Sequence, residues 1–233
     1  MEAFARADAV RREYARLARH YDERWAAYIA ETRERTLRCL DARPDGSVLD
    51  VGCGTGALLE ALARRVPAAR LIGVDLSLEM LAVARRKLPP NVALVHGRAE
   101  CLPFASGRFD TVVSSSSFHF WREPIQALRE MARVLRPGGR VVITDWCADY
   151  FWTRTWDFWL RWRNHYVSKA YHGSELAGAL EQAGFVRIHI ERFKINWFWG
   201  LMTATAHTQR SDGNFGIKGR CTEICGVRDP SAR

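Results

Sequence analysis

Between Val48 and Asp145, short apolar runs alternate with amphipathic stretches. The runs are VLDV from Val48, RLIGVD from Arg70, VALVHG from Val92, FDTVVS from Phe109 and GRVVITDW from Gly139. Ala57–Arg65, Leu78–Leu88 and Pro124–Leu135 carry helical spacing between them. Short buried strands joined by helices of this length predict an α/β core with a parallel sheet and crossover helices. Farther on, FVRIHIERF from Phe185 and LMTATAHT from Leu201 alternate with period two, which predicts an antiparallel pair at the sheet edge. Before the core, Ala7, Val10, Tyr14, Leu17 and Tyr21 form one helical stripe, and Tyr28, Thr32, Arg35 and Cys39 continue it. The plan is therefore a helical cover over 1–40, a core domain over 41–207 with an aromatic helical insertion about 149–172, and a flexible tail over 208–233. At the helix ends, Ser174 is the expected N-cap and Gly184 the stop of one helix, and RPGG from Arg136 ends another by an αL-type glycine and restarts the chain as a strand.

Composition narrows the class without naming a partner. A chain of 233 residues with 48% hydrophobic content suits one main domain. Its formal charge of +9 is carried almost wholly by arginine and admits nucleic acid, an anionic membrane surface or an acidic substrate. A solvated arginine-rich surface is the plainer alternative. The six cysteines are scattered and read as reduced, and Cys221 with Cys225 lacks the second ligand pair of a zinc site, so no metal is expected. Without a long apolar run, and with a highly charged N-terminus, the chain is expected to be cytoplasmic.

The chemistry concentrates in VLDVGCGTG, Val48 to Gly56. Gly52, Gly54 and Ala57 fit G-x-G-x-x-[GA] between a strand and a helix, and Asp75 ends the next strand, where a carboxylate can accept ribose hydroxyls. That pattern alone leaves NAD open. Asp50 tilts the reading, because an acid two residues before the first glycine suits a ligand's ammonium group better than a pyrophosphate. Gly56 adds a further glycine that lets backbone and ligand approach closely.

VLDVGCGTG, GVDLS, RAECLPF, FDTVVSSSSFHF and REMARVLRPGGRVVITD, in that order, resemble the class I S-adenosylmethionine-dependent methyltransferases over roughly Val48 to Asp145. The LPF turn and the VLRPGG helix end resemble the branch that includes ubiquinone and menaquinone biosynthesis methyltransferases. The resemblance implies a Rossmann-like seven-stranded, mostly parallel sheet with helices on both faces and an antiparallel edge strand, and S-adenosylmethionine as cofactor. It further implies that Asp50, Gly52, Cys53, Gly54 and Gly56 line the methionine portion and that Asp75 takes both ribose hydroxyls. Leu76 and Met80 would pack on the adenine, Ala99 and Glu100 would sit at its edge, and Ser114 would lie under the sulfonium side. HYDERW, with Tyr21, is similar to the segment that covers the cofactor in that branch. Arg98 departs from the pattern, since relatives often carry an acid there. An arginine accepts no hydrogen bond, which leaves the adenine amino group to Glu100 or a backbone carbonyl.

His119, after the fourth strand, is the candidate general base, with a purely structural role as the alternative. His165, Tyr166, Tyr171 and His172 are weaker candidates. Trp152, Trp156 and Trp159 follow helical spacing beside Phe151, Phe158 and Trp162, and Trp197 and Trp199 follow later. These aromatics either wall a pocket for a small hydrophobic or aromatic acceptor, form with nearby arginines a face for peripheral membrane contact, or pack as core. The expected function is methyl transfer to such an acceptor on O, C or N. A nucleic-acid methyltransferase is disfavoured, because SSSSFHFW has neither an Asn/Asp-Pro-Pro-aromatic motif nor a Pro-Cys nucleophile. A non-catalytic cofactor-binding protein and an NAD-dependent oxidoreductase are the other rivals.

Overall fold

The computed structural model of the chain describes residues 16–40, 43–67, 69–164, 169–197 and 199–210, without the side chains of residues 156 and 159–164. In the N-terminal part, α1 (Tyr21–Arg24) and α2 (Ala26–Cys39) precede β1 (Ser47–Val51). There follow α3 (Ala57–Arg65), β2 (Arg70–Asp75), α4 (Leu78–Lys87), β3 (Ala93–His96), β4 (Phe109–Ser115) and a 3₁₀ turn at Phe118–Phe120. The rest comprises α5 (Pro124–Val134), β5 (Leu135–Trp146), α6 (Phe151–Asn164), α7 (Gly173–Gln182), β6 (Val186–Lys194) and β7 (Gly200–His207). The sheet order is β3-β2-β1-β4-β5-β7-β6. The first five strands pair in parallel, and β7 lies antiparallel between β5 and the edge strand β6.

Alternation within strands builds a core on each face. Val48, Leu71, Val113 and Val142 face α2, α3 and α4, while Leu49, Ile72, Val112 and Ile143 face α5 and α7. Every residue of β1 is buried, as expected of a strand covered on both sides. Burying each such Val, Leu or Ile side chain is worth about 1.5–3 kcal/mol. The edge strand β6 alternates half-buried and exposed residues from Val186 to Glu191.

Polar contacts fasten the loops and the cover to this core. Arg133 of α5 donates to the Leu102 and Phe104 carbonyls at 3.0 and 2.7 Å, and Glu130 accepts the Leu102 N–H at 2.9 Å, fixing the LPF turn. A chain of buried hydroxyls joins α2 to the sheet, from Thr36 to Thr144 at 2.8 Å and on to Thr203 at 2.9 Å.

Several local expectations change. Helix α7 begins at Gly173 with His172 at its N-cap, not Ser174, because the Glu175 carboxylate reaches back to the His172 N–H at 2.8 Å. Gly184, with φ +90°, does stop α7. Helix α5 ends at Val134, before RPGG, and RPGG lies in β5 as the expected restart of the strand, with Gly138 at φ +74°. Cys39, Cys53 and Cys147 are free thiols, but Cys101 is disulfide-bonded, which corrects the reduced reading for that residue. Residues 1–15, His165, Tyr166 and the tail beyond residue 210, with Cys221 and Cys225, lie outside the described residues. Among the described residues no helix is long and apolar enough to cross a membrane.

Candidate active site

The strand order reverses between β1 and β4, and a cavity of about 400 Å³ opens at the carboxyl ends of these strands and β2. Open α/β sheets bind ligands at such a reversal. The glycine turn forms one wall. Gly52 and Cys53 both donate to the Val74 carbonyl, at 2.8 and 3.0 Å, which ties the turn to β2. Gly52, Gly54 and Gly56 have φ of +76°, +53° and +79°, a region that disfavours side chains. A Cβ on Gly54 would meet nothing within 4 Å, so the backbone there faces open space. A Cβ on Gly52 would lie 2.3 Å from Ser117 Oγ, so the turn also needs glycine for packing.

Two carboxylates stand behind this wall. Asp75 accepts the Gly54 N–H and the Ser77 N–H, each at 2.8 Å. Each carboxylate oxygen keeps acceptor capacity for a ligand hydroxyl. Burial pushes its carboxyl upward, partly offset by these amide donors. Asp50 is 2% exposed, and burial together with the charge of Asp75 pushes its carboxyl from the usual 3.8 up to about 8. Its Oδ1 is buried without a hydrogen-bond partner. An orphaned buried acceptor of this kind asks for a donor from a ligand. Cys53 also lines the cavity, but burial raises its thiol well above the ordinary range and makes it a poor nucleophile.

The N-terminal segment closes over the turn. Tyr21 lines the cavity, and Asp22 receives Thr55 Oγ1 at 2.5 Å while pairing with Lys87 Nζ at 2.5 Å. Tyr28 of α2 lines it as well. Its hydroxyl accepts the Trp146 indole N–H at 2.9 Å and can donate onward to Ser116 Oγ at 2.9 Å. Ser116 sits at φ +57°, a strained conformation for a serine, as β4 gives way to the 3₁₀ turn.

At the far wall His119, 4% exposed, places Nδ1 2.6 Å from Asp145 Oδ1 at the end of β5. Asp145 also accepts the His119 and Trp146 backbone N–H groups at 3.3 and 2.6 Å, so it is held as an acceptor from three sides. The His119 ring stacks on Trp146 at 4.3 Å with 9° between planes. With Nδ1–H assigned as donor to the carboxylate, Nε2 is left as the acceptor.

Tyr21, Asp50, Gly52, Cys53, Gly54, Asp75, Leu76, Met80, Ala99, Glu100 and His119 all line this one cavity. Two expected positions do not. Ser114 is buried beneath it, bonded to Ser117 Oγ at 2.8 Å, and Ser115, Ser116 and Ser117 line the cavity in its place. Gly56 turns the chain into α3 and packs against Ala84 and Leu88. Arg98 lines the cavity 3.7 Å from Glu100, which partly neutralises that acid. Of the aromatic insertion, Tyr171 reaches the cavity while the described aromatic side chains of α6 do not. Phe151, Trp152 and Phe158 are exposed, and the cavity's aromatic lining is Tyr21, Tyr28, Phe120, Trp121 and Tyr171. Sequence reasoning missed Tyr28 and Asp145. An acid closing the fifth strand opposite a histidine closing the fourth was the signal available for Asp145.

A methyltransferase domain family matches residues 49–143. Over those residues the chain carries a domain of the methyltransferase class, built on the seven-stranded sheet and the glycine turn described above. Within that class it resembles the quinone-biosynthesis enzymes. It is 39% identical over 118 residues to demethylmenaquinone methyltransferase of Shouchella clausii, covering 48% of this chain and 50% of that protein. It is 30% identical over 178 residues to the chloroplastic 2-methyl-6-phytyl-1,4-hydroquinone methyltransferase of Arabidopsis thaliana, covering 75% and 50%. The chain spans about half the length of these curated relatives. Among solved structures, a SAM-dependent methyltransferase of Thermotoga maritima shares the fold with a TM-score of 0.70 at 21% identity, covering 84% of this chain and 98% of that one. Phosphoethanolamine N-methyltransferase 2 of Haemonchus contortus does so with a TM-score of 0.61 at 18% identity, covering 77% and 53%.

Proposed function

We propose that the protein transfers a methyl group from S-adenosylmethionine to a hydroxyl or activated carbon of a small hydrophobic, aromatic acceptor of the hydroquinone kind, with His119 as general base. The observation that carries this reading is the buried His119–Asp145 pair on the cavity wall, with Nδ1 and the carboxylate 2.6 Å apart. The cavity also suits the cofactor, whose ammonium group answers the orphaned Asp50 Oδ1 and whose ribose hydroxyls match the spare acceptor sites of Asp75. Gly54 leaves room for close approach, and Leu76 and Met80 offer apolar contact.

The cofactor, when bound, supplies an electrophilic sulfonium methyl with a neutral thioether as leaving group. Everything else falls to the chain. Tyr21 and Tyr28 cover the site and help exclude water, which favours displacement of an aligned methyl. His119 Nε2 takes the acceptor's proton as the acceptor's oxygen or carbon bonds to the methyl. Asp145 fixes the tautomer and stabilises the imidazolium that forms. A phenolic hydroxyl, with a pKa near 10, needs such a base at neutral pH. The curated relatives named for quinone substrates support the acceptor class.

The test compares His119→Gln and Asp145→Asn with the parent protein for methylation of a hydroquinone acceptor, alongside cofactor binding by calorimetry. His119→Gln should lower kcat by about 10²–10⁴-fold, with cofactor affinity kept. Unchanged turnover, or equal losses in binding and turnover, would return His119 to a structural role.

A further inference from the structure

Four of the five large hydrophobic side chains that stand exposed among the described residues gather in one region, Phe151, Trp152 and Phe158 on α6 and Trp197 in the β6–β7 turn. Their exposures are 59%, 45%, 74% and 70%. Phe151 meets Trp152 edge-on at 5.4 Å, and Trp152 meets Trp197 edge-on at 5.3 Å, so helix and turn form one platform. The core does not account for it. The inner face of α6 is anchored by Thr153, which bonds both the N–H and the carbonyl of Gly200 at 2.9 and 3.3 Å, and Asp157 is buried on the same side. The aromatic residues at 151, 152 and 158 fall on the opposite side of the helix.

Cations border the platform. Arg154 lies over the Phe151 ring at 5.8 Å, and Lys194 over the Tyr150 ring at 5.1 Å. The whole chain carries a formal +9. Exposed aromatics set among Arg and Lys suit the headgroup zone of an anionic bilayer, where rings enter the acyl boundary and cations meet lipid phosphates. The platform also adjoins the active site. Trp199, two residues after Trp197, contacts Trp146 at 5.3 Å and Tyr28 at 5.6 Å, and Trp146 stacks on His119.

We propose that α6 and the β6–β7 turn dock the protein peripherally on an anionic membrane surface, delivering lipophilic acceptor to the His119 wall. Only the purpose of this docking rests on the methyl-transfer reading; the docking itself is measurable without cofactor or acceptor. The experiment is co-sedimentation of the full chain with phosphatidylcholine vesicles, with and without phosphatidylglycerol, at low and high salt. The parent protein should be retained on the anionic vesicles and released by salt. Trp152→Ser with Trp197→Ser should weaken partition by about tenfold or more, and Arg154→Glu with Lys194→Glu should abolish the preference for phosphatidylglycerol. Circular dichroism and unchanged turnover of detergent-dispersed acceptor would confirm that both double variants fold. The proposal fails if the parent is not retained, or if the tryptophan variant is retained equally. It fails too if sedimentation velocity shows a dimer that the tryptophan substitutions dissolve, since the platform would then cover a second copy of the chain.

Discussion

Asp50→Asn separates stability from binding in a way that the geometry of this one carboxylate dictates. Asp50 is buried, its Oδ1 has no partner, and its carboxyl titrates near 8 instead of 3.8. Between those values the folded state holds a proton that the unfolded chain has released, so this group's contribution is greatest at low pH and fades as pH rises. The loss is about 1.36 kcal/mol per pH unit until it levels off above the folded value. At neutral pH the cumulative cost is on the order of 4 kcal/mol as an upper bound, and near pH 5 it is a small part of that. Asparagine does not titrate, so the cofactor-free variant should be more stable than the parent by a margin that widens with pH. The same variant should bind S-adenosylmethionine about 10–100-fold more weakly, having lost a charged acceptor for the ammonium group. Urea unfolding from about pH 5 to 9, paired with calorimetric titration, reads both effects. A variant less stable than the parent at the alkaline end, or a margin that does not move with pH, would refute the assignment of a high-titrating, ligand-seeking Asp50.

Other consequences follow from single contacts. Gly54→Ala should cost about 1–3 kcal/mol through its positive φ and abolish cofactor binding by occupying open space, as thermal melts with and without cofactor would show. Asp22→Asn removes the ion pair with Lys87 and weakens the clasp on Thr55, so cofactor dissociation in stopped-flow should quicken by about tenfold while melting temperature moves little. Thr144→Val breaks the hydroxyl chain between Thr36 and Thr203 and should destabilise the fold by about 1–3 kcal/mol in urea unfolding.

The sheet was legible because each strand is a short apolar run with a helix beside it, and period two in the Phe185 and Leu201 segments marked the antiparallel pair. That β7 inserts between β5 and β6 was not legible, since adjacent hairpin-like strands read alike in either order. The glycine turn and Asp75 were visible as local chemistry on a strand end. Asp145 was not, because its role depends on β4 and β5 ending side by side, a pairing of residues 26 positions apart. Tyr28 was read as helix polarity, and only the docking of α2 turns its hydroxyl toward Trp146 and Ser116. For the aromatics of α6 the sequence left pocket wall, membrane face and core open. Helical spacing revealed one face but not which side of the helix the sheet would take, and Thr153 and Asp157, not the described aromatics, face inward.

The most direct test of methyl transfer by this site is to incubate the purified chain with methyl-labelled S-adenosylmethionine and a lipid extract containing hydroquinones, and to follow label into the organic phase. Acceptor-dependent label in that phase, lost in His119→Gln while cofactor binding persists, is the result predicted. Label confined to nucleic acid or protein, or cofactor bound without transfer to any acceptor, would contradict it.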